Sequence, residues 1–179
     1  MEDLSLHILD IVENSINAGA KNVEIVIQEN HLKDVLRIEI TDDGRGMMPG
    51  AVEKVTDPFY TTRTTRKVGL GLALLDEATK AANGRLDIHS VPCFGTKVIA
   101  SFQLSNIDRK PLGDMAATIV MLVAGNPDVN FRYCYEHDGQ EFTFDTNEVR
   151  KRLQGLDLNS PDALTFIREY IRENTESLS

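Results

Sequence analysis

Two alternating apolar runs, set almost end to end, constrain this chain more than any other feature. In residues 22–29 (NVEIVIQE) Val23, Ile25 and Ile27 recur at every second position, and in 34–41 (DVLRIEIT) Leu36, Ile38 and Ile40 do the same. A period of two predicts strands with one buried face. The intervening Asn-His-Leu-Lys suits a hairpin loop, so the two strands pair as neighbours. A second pair is predicted at 85–90 and 96–104. Helical spacing predicts a helix over 4–18, with Leu6, Leu9, Val12 and Ile16 as its apolar positions and Gly19 just past its end. Another is predicted over 71–82, closed by Asn83-Gly84. Pro49 opens a short predicted helix over 49–55, and 56–70 reads as an irregular loop rich in Thr, Arg and Gly.

The order is helix, hairpin, loop, helix, hairpin. It lacks the strand–helix alternation of a doubly wound fold. The expected class is an α+β two-layer sandwich, a mixed and largely antiparallel sheet with helices on one face. Asn106 to Leu112 (NIDRKPL) reads as a junction. Beyond it a helix is predicted at 112–124, strands at 129–136 and 140–145 around Asp138-Gly139, and helices at 146–153 and 161–174. Asp-Gly between strands is a hairpin signal, and Ser160 before Pro161 is a helix start. Two units are therefore expected: residues 1–105, and a helix–hairpin–helix–helix appendage over 106–179. The appendage is short for a core of its own, so it should pack on the first unit and serve interaction or oligomerisation.

Composition narrows the function. The 179 residues carry 19 Lys and Arg against 28 Asp and Glu, a net charge of −9. That disfavours nucleic acid or an anionic membrane as partner. No apolar run approaches a membrane span, and the acidic start MEDLSLHILDIVENS is unlike a signal peptide. Cys93 and Cys134 lack metal-ligand spacing. A cytoplasmic protein is expected. One stretch departs from the acidic background: Pro58 to Leu75 has no acid but holds Arg63, Arg66 and Lys67. A basic island on an acidic protein points to a local anionic ligand.

Several short motifs could build such a site. At 100° per residue His7, Asp10, Asn14 and Asn17 share one stripe of the first helix. Taken alone, that stripe is a solvated face, but its short Asp and Asn side chains are stiff enough to hold a metal ion or water. Asp42-Asp43-Gly44-Arg45-Gly46-Met47 follows a predicted strand. A carboxylate there can accept a hydrogen bond from an amine, and the glycines let a flat ligand approach the backbone. Gly69-Leu70-Gly71-Leu72 opens a helix, whose N–H groups are a ready anion site. Phe94-Gly95-Thr96 begins a strand. Each is weak alone; together they are the inventory of a magnesium–nucleotide pocket. The phosphate-loop and dinucleotide fingerprints are absent.

In this order the motifs resemble the GHKL superfamily of ATP-binding domains, which includes gyrase, a heat-shock chaperone, histidine kinases and mismatch-repair ATPases. IVENSINAGA (11–20) resembles the N box, DDGRGM (42–47) the first glycine box, and DPFYTTR (57–63) the F box of histidine kinases. GLGLALL (69–75) resembles the second glycine box and FGT (94–96) the last. The resemblance covers residues 4–104 and implies ATP and Mg2+ as ligands. It implies Asn14 as the metal ligand and Asp42 as the reader of the adenine amino group. Gly44, Gly46, Met47 and Thr96 would sit around the base. Phe59, Thr62, Arg63 and Lys67 would belong to a lid over 57–68, and Gly69, Leu70, Gly71 and Leu72 to the hinge and helix start behind it.

The chain also departs from the pattern. Four residues before Asn14, where the ATPase branch has a Glu general base, stands Asp10, whose carboxylate reaches about one C–C bond less. The kinase glycine box often begins with a further glycine where this chain has Lys67. His7 lies inside the N-box helix and is not the phospho-accepting histidine of a kinase. Three functions are therefore expected in order. The first is a stand-alone kinase domain phosphorylating a partner protein in trans, as histidine-kinase or anti-sigma-type domains do. The second is a slow ATPase switch with Asp10 as catalytic base, and the third is a nonenzymatic ATP sensor.

Overall fold

A computed structural model describes residues 3–52, 70–152 and 157–178. Residues 56–69 of the predicted loop, residues 53–55 of the helix predicted over 49–55, and with them Phe59, Thr62, Arg63, Lys67 and Gly69, lie outside the described residues.

The first helix, α1 (Leu4–Asn17), starts where the Asp3 side chain accepts the Leu6 N–H and ends ahead of Gly19, at φ +84°. The strands β1 (Asn22–Asn30) and β2 (Val35–Asp42) form the expected hairpin, with Ile25 opposite Ile40. Helix α2 (Leu70–Ala81) leads into β3 (Arg85–Val91) and β4 (Gly95–Gln103). Then follow α3 (Met115–Gly125), β5 (Asn130–His137), β6 (Gln140–Asp145), α4 (Thr146–Arg152) and α5 (Pro161–Glu176). Helix α5 begins at the predicted cap, Ser160 Oγ accepting the Ala163 N–H at 3.3 Å.

The strands make one six-stranded sheet in the order β3-β4-β2-β1-β5-β6. Four of its pairings are antiparallel, and β1–β5 is parallel. The class is the mixed, largely antiparallel α+β sandwich that the strand order predicts. A single row crosses all six strands: Ile88, Val98, Ile40, Ile25, Tyr133 and Phe144 stand side by side. Val98, Ile40, Ile25, Tyr133 and Phe144 are at most 4% exposed, each contributing about 1.5–3 kcal/mol by leaving water. The helices cover this face with Ile8, Ile11, Val12, Leu75, Ile119, Leu122, Ile167 and Ile171. The other face is polar at its centre, where Glu39 pairs with Arg37 at 2.8 Å and with Lys97.

The residues after 105 thus meet the first unit through main-chain bonding as well as packing. β5 continues the sheet beside β1, and Leu4 N–H and Ser5 N–H donate to Pro111 O and Leu112 O at 2.9 and 2.8 Å.

The buried stripe of α1 overlaps only in part the one its spacing suggested: of the predicted positions Val12 is buried and Leu9 and Ile16 are partly buried against the core. Leu4, Ile8, Ile11, Val12 and Ser15 are buried, while Leu6 is 41% exposed. The polar stripe is also divided. His7 is 1% exposed, because the strap through Lys110 and Leu112 crosses that end of the helix, whereas Asp10 and Asn14 are half-buried and Asn17 is exposed. A helix packed on two sides buries more than one arc, which its own periodicity cannot show.

Candidate functional site

Asp42 ends β2 with its carboxylate turned toward α1, at 9% exposure. Ser15 Oγ donates to Oδ2 at 2.6 Å, and the Gly44 and Thr96 N–H groups donate to Oδ1 at 2.9 and 3.3 Å. A carboxylate has about four lone-pair sites, so capacity on Oδ2 is left for a donor from the cavity beside it. That cavity is about 150 Å³ and is lined by Ile11, Asn14, Ser15, Asn17, Ala18, Asp42, Arg45, Gly46, Met47, Leu72, Thr96 and Val98. Its walls are mainly aliphatic, with a few convergent polar groups, as ligand pockets are.

Two glycines let the backbone close around it. Gly46 has φ +64°, and a Cβ there would stand 2.1 Å from Val91 O. Gly95 has φ +101°, and its Cβ would stand 1.9 Å from Asp42 O. No side chain fits at either. The loop is sewn down on both sides: Arg45 N–H donates to Ala18 O at 3.0 Å, and Cys93 N–H to Arg45 O at 2.8 Å. Met47 N–H donates to Ser90 Oγ at 2.8 Å, and Ser90 Oγ meets Thr96 Oγ1 at 2.8 Å.

Of the residues singled out from sequence, the fold gathers Asn14, Asp42, Gly46, Met47, Leu72 and Thr96 around one cavity. Gly44 lies against the Asp42 carboxylate. Leu70 is the first residue of α2 and Gly71 the second. Asp10 is not among the lining residues. It packs against the first turn of α2, where a Cβ on Gly71 would be 3.2 Å from Asp10 Cβ and 3.5 Å from its Oδ2. Glycine at 71 is what admits the carboxylate to that helix start.

Two participants carry no signal in the sequence, Ser15 and Ser90; Arg45, which also lines the cavity, enters there only as a member of the 42–47 motif. Ser15 sits on the buried arc of α1, where a hydroxyl needs a partner, and Ser90 stands opposite Thr96 across β3–β4. Asp43, adjacent to Asp42 in sequence, is structural. It accepts the Lys21 and Asn22 N–H groups at 2.7 and 2.9 Å and the Asn22 amide at 2.7 Å. Partial burial pushes its pKa up, but the bonds from Asn22 and Lys21 outweigh this and hold it below the usual carboxylate value.

Residues 2–106 match the family described as histidine kinase-, DNA gyrase B- and HSP90-like ATPases. The chain belongs to this ATPase family. The match spans the elements that build the cavity, so the cavity lies in an ATP-binding domain of that family. Among relatives, the sensor protein kinase WalK of Staphylococcus haemolyticus is 33% identical over 106 residues, covering 55% of this chain and 17% of that protein. A putative sensor protein of Shewanella frigidimarina is 29% identical over 103 residues, 56% of this chain and 16% of that one. The non-motile and phage-resistance protein of Caulobacter vibrioides is 28% identical over 119 residues, 62% and 14% of the two. The chain thus spans only 14 to 17% of the length of these three relatives. Among solved structures, the Aquifex aeolicus MutL ATPase domain complexed with ADP aligns at a TM-score of 0.49 and 20% identity, covering 86% of this chain and 68% of that one. Among the described residues no helix is long and apolar enough to cross a membrane.

Proposed function

We propose that the cavity takes the adenine of ATP, and that the bound nucleotide, with Mg2+, serves phosphoryl transfer to a partner protein. The observation that carries this reading is the Asp42 carboxylate, pinned by Ser15, Gly44 and Thr96 at the edge of a mainly aliphatic cavity. A buried charged acceptor among aliphatic walls selects a flat ring bearing an amine, and the adenine 6-amino group is such a donor. Gly46 and Gly95 hold the backbone close around the base.

The donor set also fits magnesium, which takes oxygen ligands and keeps several waters. Asn14 offers an amide oxygen at the cavity wall, and it is the proposed protein ligand. The ion would neutralise phosphate charge. The start of α2, with Leu70 and Gly71, would present N–H groups to phosphate, Phe59, Thr62, Arg63 and Lys67 would belong to the lid, and Gly69 to its hinge. Phosphoryl transfer asks a protein mainly for positioning, which is the role these residues would share. The 33% identical kinase segment supports the kinase reading. Residues 106–179 would recognise the partner or a second copy.

A second reading, a slow ATPase, is favoured by Asp10. Its carboxylate is held at the start of α2, one turn before Asn14, where it could order a water as base. Incubating the chain with γ-labelled ATP and a cell extract separates the readings. Label on another protein supports the kinase. Free phosphate alone supports the ATPase. Neither, with binding intact, overturns both and leaves a nucleotide sensor.

A further inference from the structure

Away from the cavity, two histidines and an aspartate converge where the end of β1 meets the β5–β6 turn. His31 follows β1, His137 ends β5, and Asp138 opens the turn. One ligand atom from each lies within 4.8 Å of the other two. His31 Nδ1 stands 3.1 Å and His137 Nε2 3.8 Å from the same oxygen, Asp138 Oδ2. Donors about 2.0–2.1 Å from a tetrahedral zinc ion stand roughly 3.3 Å apart, so these separations fall on either side of that spacing.

The backbone holds the group in place. The parallel β1–β5 ladder runs as far as Glu29 opposite His137. Asp138 N–H donates to Glu29 O at 3.0 Å, and Asp138 Oδ1 accepts the His31 N–H at 2.8 Å. That leaves Oδ2 facing both imidazoles. Asp138 and Gly139 have φ of +47° and +89° in a two-residue turn, the conformation that an Asp-Gly hairpin favours. His137 is the more enclosed imidazole, its side chain 18% exposed. Its other ring nitrogen, Nδ1, faces the Tyr135 hydroxyl at 3.5 Å and Glu29 Oε2 at 3.8 Å. A carboxylate behind the second nitrogen is the usual support of a metal-bound histidine, because it fixes the tautomer and makes the ligating nitrogen more basic.

We propose that His31, His137 and Asp138 bind a divalent transition-metal ion, zinc above all, with Glu29 as the positioning carboxylate behind His137. Two imidazoles and one carboxylate suit zinc; magnesium and calcium prefer all-oxygen sites. Three protein donors leave a fourth position, which water reaches because the His31 and Asp138 side chains are half-exposed. The ion would replace the His31–Asp138 hydrogen bond with two stronger links. It would clip the β5–β6 turn to the end of β1, across the seam between the family-matched residues and those that follow. This is independent of the nucleotide cavity.

The test is titration calorimetry of the metal-stripped full chain with zinc chloride and, separately, magnesium chloride. One zinc per chain is expected, with magnesium at least a hundredfold weaker. His31→Ala and His137→Ala should each weaken zinc binding tenfold or more. Zinc should raise the melting temperature of the parent chain and leave that of His31→Ala unchanged. His31 is largely exposed, so this variant should fold even if His137→Ala does not. Glu29→Gln should weaken zinc about 10–100-fold and shift the visible absorption of bound Co2+ without changing the stoichiometry. Equal zinc binding by the parent chain and His31→Ala would overturn the site, as would no zinc binding or magnesium bound as tightly as zinc. An unshifted Co2+ spectrum in Glu29→Gln would overturn the role given to Glu29.

Discussion

Ser15 Oγ donates a 2.6 Å hydrogen bond to Asp42 Oδ2, joining α1 to the end of β2 across 27 residues of sequence. It fixes the orientation of the one buried acid among the described residues that lines the cavity. A hydrogen bond to a charged group contributes about 1.5–3 kcal/mol. Ser15→Ala should therefore lower stability by about that amount in a denaturant titration, and should weaken ATP binding as Asp42 loses its orientation. Unchanged stability and affinity would show that Asp42 is held by its backbone contacts alone.

Gly46 and Gly19 both have positive φ, +64° and +84°, but only Gly46 is crowded: its Cβ would meet Val91 O at 2.1 Å, whereas nothing lies within 4 Å of one at Gly19. Gly19→Ala should cost about 1–2 kcal/mol, the penalty of a left-handed backbone. Gly46→Ala should cost clearly more and abolish nucleotide binding. Paired chemical melts with calorimetry check both.

His7 gives the fold a pH dependence. Burial, with Lys110 adding in the same direction and Asp3 opposing, lowers its pKa from 6.5 to about 4. The unfolded chain therefore binds more protons at this site between those values, so stability is full above pH ~6.5 and falls as pH drops toward 4. At about 1.4 kcal/mol per pKa unit the loss approaches about 3 kcal/mol. His7→Gln removes this titration. Its urea midpoint should fall less than that of the parent chain between pH 6.5 and pH 4.5, and parallel curves would contradict the assignment.

Asp10 should separate binding from chemistry. It is packed against Gly71 at the start of α2, on the phosphate side in the proposed pose. Asp10→Asn should leave ATP binding intact or tighter and reduce turnover by roughly 10²-fold or more, the scale of general-base catalysis. Undiminished turnover per bound ATP would end the catalytic assignment of Asp10.

These residues show what the sequence could and could not convey. Strand alternation is local, so Val23, Ile25 and Ile27 on β1 and Leu36, Ile38 and Ile40 on β2 were legible along with their shared buried face. The motifs at Asn14, Asp42, Gly46 and Thr96 were legible because each is a short run of unusual side chains. The parallel pairing of Tyr133 with Ile25 has no local signal, since about a hundred residues separate the two strands and alternation names no partner. The burial of His7 depends on the strap at 110–112, and the role of Ser15 depends on Asp42. Both are long-range facts, and neither alters the pattern of α1 itself.

In the proposed pose Asp42 reads an amine inside the cavity. Asp42→Asn keeps the size of the side chain but replaces part of a charged acceptor with a donor, a loss of about 1.5–3 kcal/mol, or roughly 10–150-fold in affinity. Titration calorimetry with MgATP and MgGTP on the parent chain and on Asp42→Asn is the direct measurement. The parent chain should bind ATP well ahead of GTP, and the variant should lose both ATP affinity and that preference. Equal binding of ATP and GTP by the parent chain, or unchanged ATP affinity in Asp42→Asn, would overturn this role for Asp42.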